Sequence, residues 1–428
     1  MDNLLVISEL CDYKKSVKRH YSLTKGYFIG LGFSKLIETY YLTTGESYRD
    51  GKLNVTNINE IDDFFMQNIK YILLIREANI IEILESNKVI KNILLNDKQN
   101  KIITIKSDAL VWLSSKAYQK RFKNEYNLNF LDFIKKTFDK ICVQTKEAKI
   151  SGVNLMKKRF RNQVDWLEDK IIISPMGVPN DDPYHIKTEN PYTINHEYCV
   201  DECRKLCTDK ALHPVCYMDR YQAFSENKRV NYNIKKHILI YMGRIKTNKG
   251  NIVLYLKEIM KKLGEDYELH IFPGSFMIPN TYIKKYSSKY PHNLQLLRDT
   301  IFYDCKNVIV HFPFNEKTKH KYLQHAEIGI DFSSVRPKNI ITNVGNAKLL
   351  EYCYYGLKVV TEENVCTNHL VKDAKNGILL KGIGTVDEYV DAIIKLKELK
   401  YDKQNAINET IKSSNWDSIA KNLLNQMI

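Results

Sequence analysis

The 428-residue sequence predicts an α/β protein built from two doubly wound domains in series. Three observations support this fold class. Short apolar runs, the length of buried parallel strands, alternate with segments whose apolar residues recur at helical spacing. The chain is too long for one ordinary core, since single cores stop growing at about 250–300 residues. It also contains 28 Tyr and 16 Phe, an aromatic content that indicates order rather than disorder.

The charge balance favours an anionic partner. Lys and Arg number 65 against 50 Asp and Glu, which gives a net charge of +15. Nucleotide-sugar phosphates, lipid headgroups and nucleic acid all fit this charge, and it does not choose among them. The amino-terminal segment MDNLLVISELCDYKK has an apolar run much shorter than a signal peptide or membrane span requires. We therefore expect a soluble cytoplasmic protein, with peripheral attachment to a membrane left open.

The first domain is predicted over residues 1–185, and it opens with a strand, a loop and a helix. Leu4–Glu9 is the strand and Asp12–Lys15 the loop. The helix is expected to end at Gly30 and Gly32, since glycine commonly closes a helix. Further strands are predicted at Tyr71–Ile75, Lys101–Ile105, Lys140–Gln144 and Lys170–Ser174.

Two acidic residues follow strands of this domain. In doubly wound sheets ligands sit beyond the carboxyl ends of the strands. Asp12 comes after the first strand, and Asp108 comes after the strand Lys101–Ile105, so both are candidates for facing a substrate. Asp108 has an equally good alternative role as the cap of the helix that begins ALVWLSSKAY.

Residues 186–233 are predicted to form a linker or insert, because they are polar and lack regular periodicity. Cysteines recur every four residues there, at Cys199, Cys203 and Cys207, with Cys216, His196 and His213 nearby. A stripe of thiols is favoured over a metal site because the C-x₂-C spacing typical of zinc sites is missing. Metal binding by this cluster stays open.

The second domain, predicted over residues 234–405, repeats the strand and helix alternation. After its first strand come the loop GRIKTNKG and a helix over Ile252–Leu263. The last segment, 406–428, is expected to be an amphipathic helix introduced by Asn415-Trp416-Asp417. Strands of the second domain are predicted at His237–Met242, Tyr267–Phe272, Asn307–Phe312 and Ile328–Phe332.

The stretch NIITNVGNAKLLEYCYYGLKVV, residues 339–360, combines a capped helix with a buried strand. Asn346 is predicted to cap a helix over Ala347–Tyr355, which Gly356 ends in a left-handed turn. A strand begins at Leu357. The small residues before this helix make its N-terminus a natural seat for a phosphate, since backbone N–H groups and a partial positive charge lie there.

Two charged residues of that helix are candidates for ligand contacts. Lys348 and Glu351, three residues apart, are expected to share a face that points away from the core. Glu351 could then hold a sugar hydroxyl. The alternative is an ordinary strand–loop–helix–strand unit with a solvated Lys–Glu pair.

Several segments together resemble one protein family. YMGRIKTNKG is similar to a G-R-x-x-x-x-K-G loop, and KLLEYCYYGLKVV to a K-L-x-E-Y-x-A-x-G-x-P-V-V helix and strand. SPMGVPN, the run Lys375–Leu379 and the helix at Trp416 match further family segments. The chain thus resembles the GT-B glycosyltransferases, particularly family four. The resemblance implies two Rossmann-like domains facing across a cleft, with the final helix returning to the first domain.

The resemblance also implies a donor and residues that bind it. The donor is a nucleotide-diphosphate sugar, with Arg244 and Lys249 on the diphosphate and Glu351 on the ribose. No metal and no further cofactor is implied, and the acceptor is a glycan or lipid-linked hydroxyl. The complete set of predicted donor-binding residues is Gly243, Arg244, Lys249, Gly345, Asn346, Lys348 and Glu351.

The sequence departs from the family pattern at points that concern acceptor chemistry. Asn343 stands where the first of two paired glutamates is expected, and Cys11-Asp12-Tyr13 replaces a glycine pair. The usual histidine after the fourth strand has no clear counterpart. If the enzyme inverts, Asp108 or Asp12 is the predicted general base; if it retains, the leaving phosphate takes the acceptor proton.

Three other functions compete with this one. The net charge and the basic cluster Lys157-Lys158-Arg159-Phe160-Arg161 favour a nucleic-acid-binding protein. A glycosyltransferase acting on hydroxylated bases in DNA would combine both features. A membrane-surface glycosyltransferase, docked on anionic lipid through basic patches, is the third.

Overall fold

The computed structural model describes residues 2–8, 10–11, 26–76, 79–96, 98, 100–192, 236–245, 252–276, 302, 304–310, 316–332 and 346–428. The chain divides into two compact units. One comprises Met1–Asn180, Ile341–Ala347 and Ile411–Ile428, and the other comprises Asp181–Ile340 and Lys348–Thr410. The carboxyl-terminal residues therefore group with the amino-terminal unit. No helix formed by the described residues has the length and apolar character that crossing a membrane requires.

The first unit is built on an eight-stranded sheet. Its strands are β1 (Asn3–Ile7), β2 (Thr39–Thr43), β3 (Tyr48–Asp50), β4 (Leu53–Asn57), β5 (Ile69–Ile75), β6 (Ile102–Lys106), β7 (Lys140–Val143) and β8 (Ile171–Ile173). Their order is β3-β4-β2-β1-β5-β6-β7-β8. All neighbours pair in parallel except β3 and β4, which pair antiparallel at the edge. The predicted strands are present, whereas β2, β3 and β4 were not predicted.

The second unit is built on a six-stranded parallel sheet. Its strands are β9 (His237–Ile245), β10 (Tyr267–Phe276), β11 (Val308–Val310), β12 (Ile328–Ile330), β13 (Lys358–Glu362) and β14 (Gly377–Leu380). Their order is β11-β10-β9-β12-β13-β14. The strand order therefore reverses between β9 and β12, which is the switch point where doubly wound sheets bind ligands.

The helices among the described residues connect these strands. They are α1 (Tyr27–Ser34), α2 (Asp63–Gln67), α3 (Asn79–Ser86), α4 (Lys88–Leu95), α5 (Lys116–Tyr126), α6 (Phe130–Thr137), α7 (Lys146–Phe160), α8 (Leu167–Lys170), α9 (Ile252–Leu263), α10 (Glu316–His325), α11 (Ala347–Tyr354), α12 (Asn368–Ala374), α13 (Val386–Glu398), α14 (Lys403–Ser414) and α15 (Trp416–Met427). Gly356 ends the turn after α11 with φ +61°, as predicted.

The prediction that Gly30 and Gly32 end the first helix is wrong. Both residues lie inside α1, which continues to Ser34. A Cβ atom at Gly32 would lie 2.8 Å from the carbonyl oxygen of Trp416, a separation that real Cβ atoms do not show. The glycine therefore allows α15 to pack closely against α1, and a packing requirement explains it better than a helix end.

The final helix closes the first unit. Asn415 caps α15 by accepting a hydrogen bond of 2.8 Å from the Ser418 N–H. Just before the helix, the Val178 N–H donates to Ser414 at 2.7 Å and the Trp416 N–H donates to Val178 at 3.0 Å. The SPMGVPN segment thus pairs with the returning chain. The apolar face of α15 is buried through Trp416, Ile419, Ala420, Leu423 and Met427.

Candidate active site

The switch point of the second sheet is open on one side of β9. Strand β12 pairs with β9 only at Leu239 and Ile240, so β9 runs past it towards its carboxyl end. The hydroxyl of Tyr352, from α11, takes the place of the missing strand and accepts a hydrogen bond of 2.9 Å from the Met242 N–H. Gly243 follows with φ +136°, a conformation that L side chains rarely adopt. The backbone that leads into the GRIKTNKG loop therefore depends on this glycine.

Lys348 lies over this end of β9. An ideal Cβ on Gly243 would be 3.7 Å from Lys348 Cδ and 3.8 Å from Lys348 Nζ. The ammonium sits 4.8 Å from the ring centroid of Tyr241, a cation–π distance. It also forms an ion pair with Asp331, the residue that follows β12 and is fully buried. The charge of Lys348 is therefore compensated inside the protein.

Asp331 is the centre of a buried polar network. Its N–H donates to Val360 at 2.9 Å, and its Oδ2 accepts from Thr361 Oγ1 at 3.0 Å. Tyr389 donates to its carbonyl oxygen at 3.0 Å. Burial, together with the charges of Glu362 and Asp331, raises the pKa of Tyr389, so its phenol stays a neutral donor. Asp331 was not singled out from the sequence, because it falls inside the predicted strand Ile328–Phe332, whereas the strand in the structure ends at Ile330.

Glu351 is buried, which makes the prediction that it points away from the core wrong. Its Oε1 lies 2.9 Å from Lys319 Nζ, and both residues are buried. The alternative of a solvated Lys–Glu pair does not hold either, because the side chain of Lys348 is only 12% exposed and pairs with Asp331. Helix α11 is covered on both sides, and its residues from Leu349 to Tyr354 are all buried. A helical wheel of α11 alone does not indicate that α10 packs against the face that carries Glu351.

Several predicted site residues lie outside the described residues. These are Asp12, Lys249, Gly345 and the side chain of Arg244, together with the cysteine cluster at Cys199–Cys216. The backbone of Arg244 is described, and Arg244 is the penultimate residue of β9. Asn346 lies immediately before α11 and is buried. The structure therefore brings together Gly243 and Lys348, and it places Glu351 one turn further along the same helix.

In the first unit, Asp108 lies beyond the carboxyl end of β6 and is exposed. Its Oδ1 accepts a hydrogen bond from Gln144, the residue after β7. The helical elements that follow have other residues at their caps, namely Leu110 and Ser115. Asp108 thus lies at the carboxyl edge of its sheet, with an amide partner from the residue that follows the neighbouring strand.

Two further residues at this edge were not singled out from the sequence. Arg76, directly after β5, has φ +70°, an uncommon conformation for a residue other than glycine. Lys106 ends β6 and is buried; its ammonium donates to Ser174 Oγ at 2.7 Å and to the Pro175 carbonyl at 3.1 Å. Backbone conformations such as that of Arg76 cluster at functional sites.

The basic cluster of α7 is partly engaged within its own unit. Lys157 Nζ lies 2.9 Å from Glu168 Oε2, and Arg159 donates to Ser114 Oγ. Lys158 and Arg161 are exposed. Among the described residues, no three His, Cys, Asp or Glu side chains are grouped as a metal site would require.

Comparisons with known proteins bear on the fold. No protein-family model matches the sequence, and no curated protein matches it. Among solved structures, the chain is similar to a glycosyltransferase from Rickettsia africae ESF-5, with a TM-score of 0.53 and 11% identity over 100% of this chain and 98% of that one. It is similar to Anabaena Alr3699/HepE in complex with UDP, with a TM-score of 0.54 and 9% identity over 100% and 99% of the two chains.

A third similar structure is α,α-trehalose 6-phosphate synthase from Burkholderia multivorans, with a TM-score of 0.54 and 9% identity over 100% and 96% of the two chains. The chain has the GT-B fold. The GT-B fold accounts for two parallel sheets in series and for the carboxyl-terminal helix that belongs to the first unit. The fold class predicted from the sequence is confirmed.

Proposed function

We propose that the chain is a glycosyltransferase that moves a sugar from a nucleotide-diphosphate donor to an acceptor hydroxyl. The donor binds at the carboxyl edge of the second sheet. The observation that carries this proposal is the switch point itself, where Lys348, near the start of α11, lies against Gly243 at the carboxyl end of β9 within a GT-B fold. Similar structures were solved with UDP and with UDP-glucose, which supports a nucleotide sugar as the ligand.

The chemistry of the leaving group explains the cations. A glycosyl–phosphate bond breaks while negative charge builds on the diphosphate, so fixed positive groups there stabilise the transition state. Arg244 offers a planar fork of donors, and Lys249 offers a point charge. The N–H groups at the start of α11 add a partial positive charge. Metal-independent transfer is part of the proposal, since these groups supply the charge that a metal would.

Lys348 has a different role in this proposal from the donor contact predicted from the sequence. Its ammonium pairs with buried Asp331, so its charge is largely compensated before any donor binds. We assign it to holding the carboxyl end of β9 and the start of α11 together. Arg244 and Lys249 are then the main ligands of the diphosphate.

Glu351 is assigned to the donor ribose. A carboxylate that accepts ribose hydroxyls makes charge-assisted hydrogen bonds, each contributing about 1.5–3 kcal/mol. Glu351→Ala should therefore weaken binding of UDP more than it slows the chemical step, and Glu351→Gln should be milder. Leu350→Ala is the matched control, because Leu350 is the buried apolar neighbour on the same helix. If folded Glu351→Ala binds UDP as tightly as the parent does, the helix is purely structural.

The acceptor is proposed to be a glycan or a lipid-linked hydroxyl that reaches the carboxyl edge of the first sheet. Asp108 is the candidate general base because it is exposed at that edge. Its contact with Gln144 fixes one carboxylate oxygen. Asp12 is the second candidate for the same role. Asp108→Asn in an inverting enzyme should remove most turnover, whereas a retaining enzyme would keep it.

The decisive experiment is a donor-hydrolysis screen. The purified chain is incubated with UDP-, GDP- and ADP-sugars, and release of the nucleoside diphosphate is measured with and without a chelator. Release from one donor class, unaffected by the chelator, supports the proposal. No release and no calorimetric binding of any nucleoside diphosphate would show that the chain does not use nucleotide sugars.

A further inference from the structure

Helices α10 and α11 are joined by a buried ion pair that the proposed function leaves unexplained. Lys319 Nζ and Glu351 Oε1 are 2.9 Å apart, and the two side chains are 1% and 6% exposed. Lys319 is among the largest fully buried side chains of the described chain. Lysine is almost never buried to this extent, because its ammonium loses hydration that a single partner replaces poorly. A specific requirement for the charge would account for its presence.

Joining the two helices does not require this charge. His320, the residue after Lys319, has its Nδ1 2.8 Å from the hydroxyl of Tyr355, the residue directly after α11, so a neutral contact also links α10 to the end of α11. Burial lowers the pKa of His320, which keeps that contact uncharged near neutral pH. Well-packed apolar side chains also stabilise helix pairs at least as well as a buried ion pair does. The ion pair is therefore better explained by what Glu351 has to do.

Both partners are held in rigid surroundings. The residue after Glu351, Tyr352, is fixed by its hydrogen bond with Met242. On α10, Tyr192 donates to the Tyr322 carbonyl at 3.0 Å, and Gln324 donates to the Pro183 carbonyl at 2.6 Å. Each helix is therefore held by contacts that do not involve the ion pair. Lys319 therefore determines where the carboxylate of Glu351 points.

We infer that Lys319 is a positioning residue that keeps Glu351 ionised and aimed at the donor ribose, and thereby selects ribonucleotide over 2′-deoxyribonucleotide donors. The inference rests on the proposed function. A carboxylate has about four lone-pair positions, so it can pair with an ammonium and also accept hydroxyl protons. An ionised carboxylate forms strong hydrogen bonds with ribose hydroxyls, so the loss of the 2′-hydroxyl weakens binding markedly. A neutral carboxyl group forms weaker hydrogen bonds and therefore discriminates less between ribose and 2′-deoxyribose. Removing Lys319 leaves the buried carboxylate without this cation.

The test measures selectivity for the ribose. Calorimetry at low temperature gives the Kd of UDP and of 2′-deoxy-UDP for the parent and for Lys319→Met, after circular dichroism has shown that each is folded. The parent should bind UDP at least about tenfold more tightly than 2′-deoxy-UDP. A factor of ten corresponds to about 1.4 kcal/mol of binding free energy. In Lys319→Met the two Kd values should converge, as in Glu351→Gln. General weakening of the fold would lower both affinities and leave their ratio unchanged.

Two further variants keep the test decisive. Lys236→Met is the matched control, because Lys236 Nζ lies 3.6 Å from buried Glu268 in the same unit, before the start of β9. It should leave the ratio at the parental value. Lys319→Gln keeps a donor without the charge and is used if Lys319→Met does not fold; it should also reduce the ratio.

The outcomes separate this inference from the proposed function. A parental ratio in every folded Lys319 variant would show that Lys319 is structural, and the proposed function would stand. A parent that binds UDP without preferring it over 2′-deoxy-UDP would also overturn the inference. A parent that binds no uridine, guanosine or adenosine diphosphate would overturn both.

Discussion

The six-stranded sheet has an amino edge, where its parallel strands begin, and a carboxyl edge, where they end. Both carry buried polar side chains, but these side chains have different partners. At the amino edge, Asn307 Nδ2 donates to the Met260 and Gly264 carbonyls at 3.1 and 2.7 Å. Asn376, directly before β14, donates to the Leu357 carbonyl at 2.7 Å. The acceptors are carbonyls near the ends of helices and turns. Amide side chains at this edge therefore satisfy backbone groups that helix ends leave open.

At the carboxyl edge the polar side chains are charged and pair with one another. Lys348 pairs with Asp331, and Lys319 pairs with Glu351. The helices run antiparallel to the strands, so their N–H ends lie at the carboxyl edge and their carbonyl ends at the amino edge. The amides of Asn307 and Asn376 thus complete the backbone at the amino edge, where the ion pair of Lys236 with buried Glu268 also lies. The two charged pairs at the carboxyl edge differ from these side chains because they lie beside the proposed site for an anion.

The largest expected effect is the loss of the Asp331 carboxylate. Asp331→Ala leaves the ammonium of Lys348 buried without its counterion and should lower the free energy of unfolding by about 3–5 kcal/mol. Urea unfolding gives the value. The double variant Asp331→Asn with Lys348→Met removes both charges and should recover most of the loss. A loss below about 1 kcal/mol in Asp331→Ala would show that the pair is solvated, and the contrast between the edges would weaken.

The second effect concerns catalysis. Arg244→Ala and Lys249→Ala should each lower turnover by roughly ten- to a thousandfold, because each removes charge that stabilises the leaving diphosphate. Their unfolding free energies should stay close to that of the parent, since the role proposed for both side chains is to bind the donor and not to pack in the core. Steady-state rates with the donor found by the screen provide the measurement. Near-parental rates in both variants would exclude this loop as the diphosphate site.

The sequence predicted the sheet cores well and the partners of the charged residues poorly. Apolar runs located β1, β5 and β9 because buried parallel strands need continuous apolar residues. Strands β2 and β4 have the sequences TYYLT and LNVTN, which mix polar with apolar residues, so they could not be predicted from continuous apolar runs. Lys319 and Glu351 are 32 positions apart, and only the tertiary fold brings them together.

Helix α1 gives a second example of a tertiary contact that the sequence pattern did not predict. The sequence pattern assigned Gly32 to a helix end, because glycine at a helix end is common and a glycine inside a helix costs about 1 kcal/mol. In the structure Gly32 admits Trp416, which is nearly four hundred positions away. A rule based on neighbouring residues cannot predict a contact between residues so far apart. Gly32 is therefore interpreted as a helix end from the sequence and as a packing position from the structure.

The third effect is confined to stability. Asn307→Ala removes two hydrogen bonds from carbonyls at the end of α9, and Asn307 is 7% exposed. We expect a loss of about 1–3 kcal/mol in unfolding free energy with unchanged Kd for UDP, since the amino edge is distant from the site along every strand. Calorimetry on the folded variant checks the second part. Weakened binding at unchanged fold would mean that the two edges are coupled.

The smallest effect is expected for the exposed pair at the amino edge. His237 Nδ1 and Glu327 Oε2 are 2.8 Å apart, and their side chains are 27% and 42% exposed. Because water competes for both groups, Glu327→Gln should change the unfolding free energy by at most about 1 kcal/mol and should leave turnover unchanged. Thermal unfolding of Glu327→Gln beside Asp331→Ala supplies the comparison, since the loss should be much larger for the pair that is buried. If Glu327→Gln costs as much as Asp331→Ala, then exposure does not decide the strength of these pairs, and the difference drawn between the two edges fails.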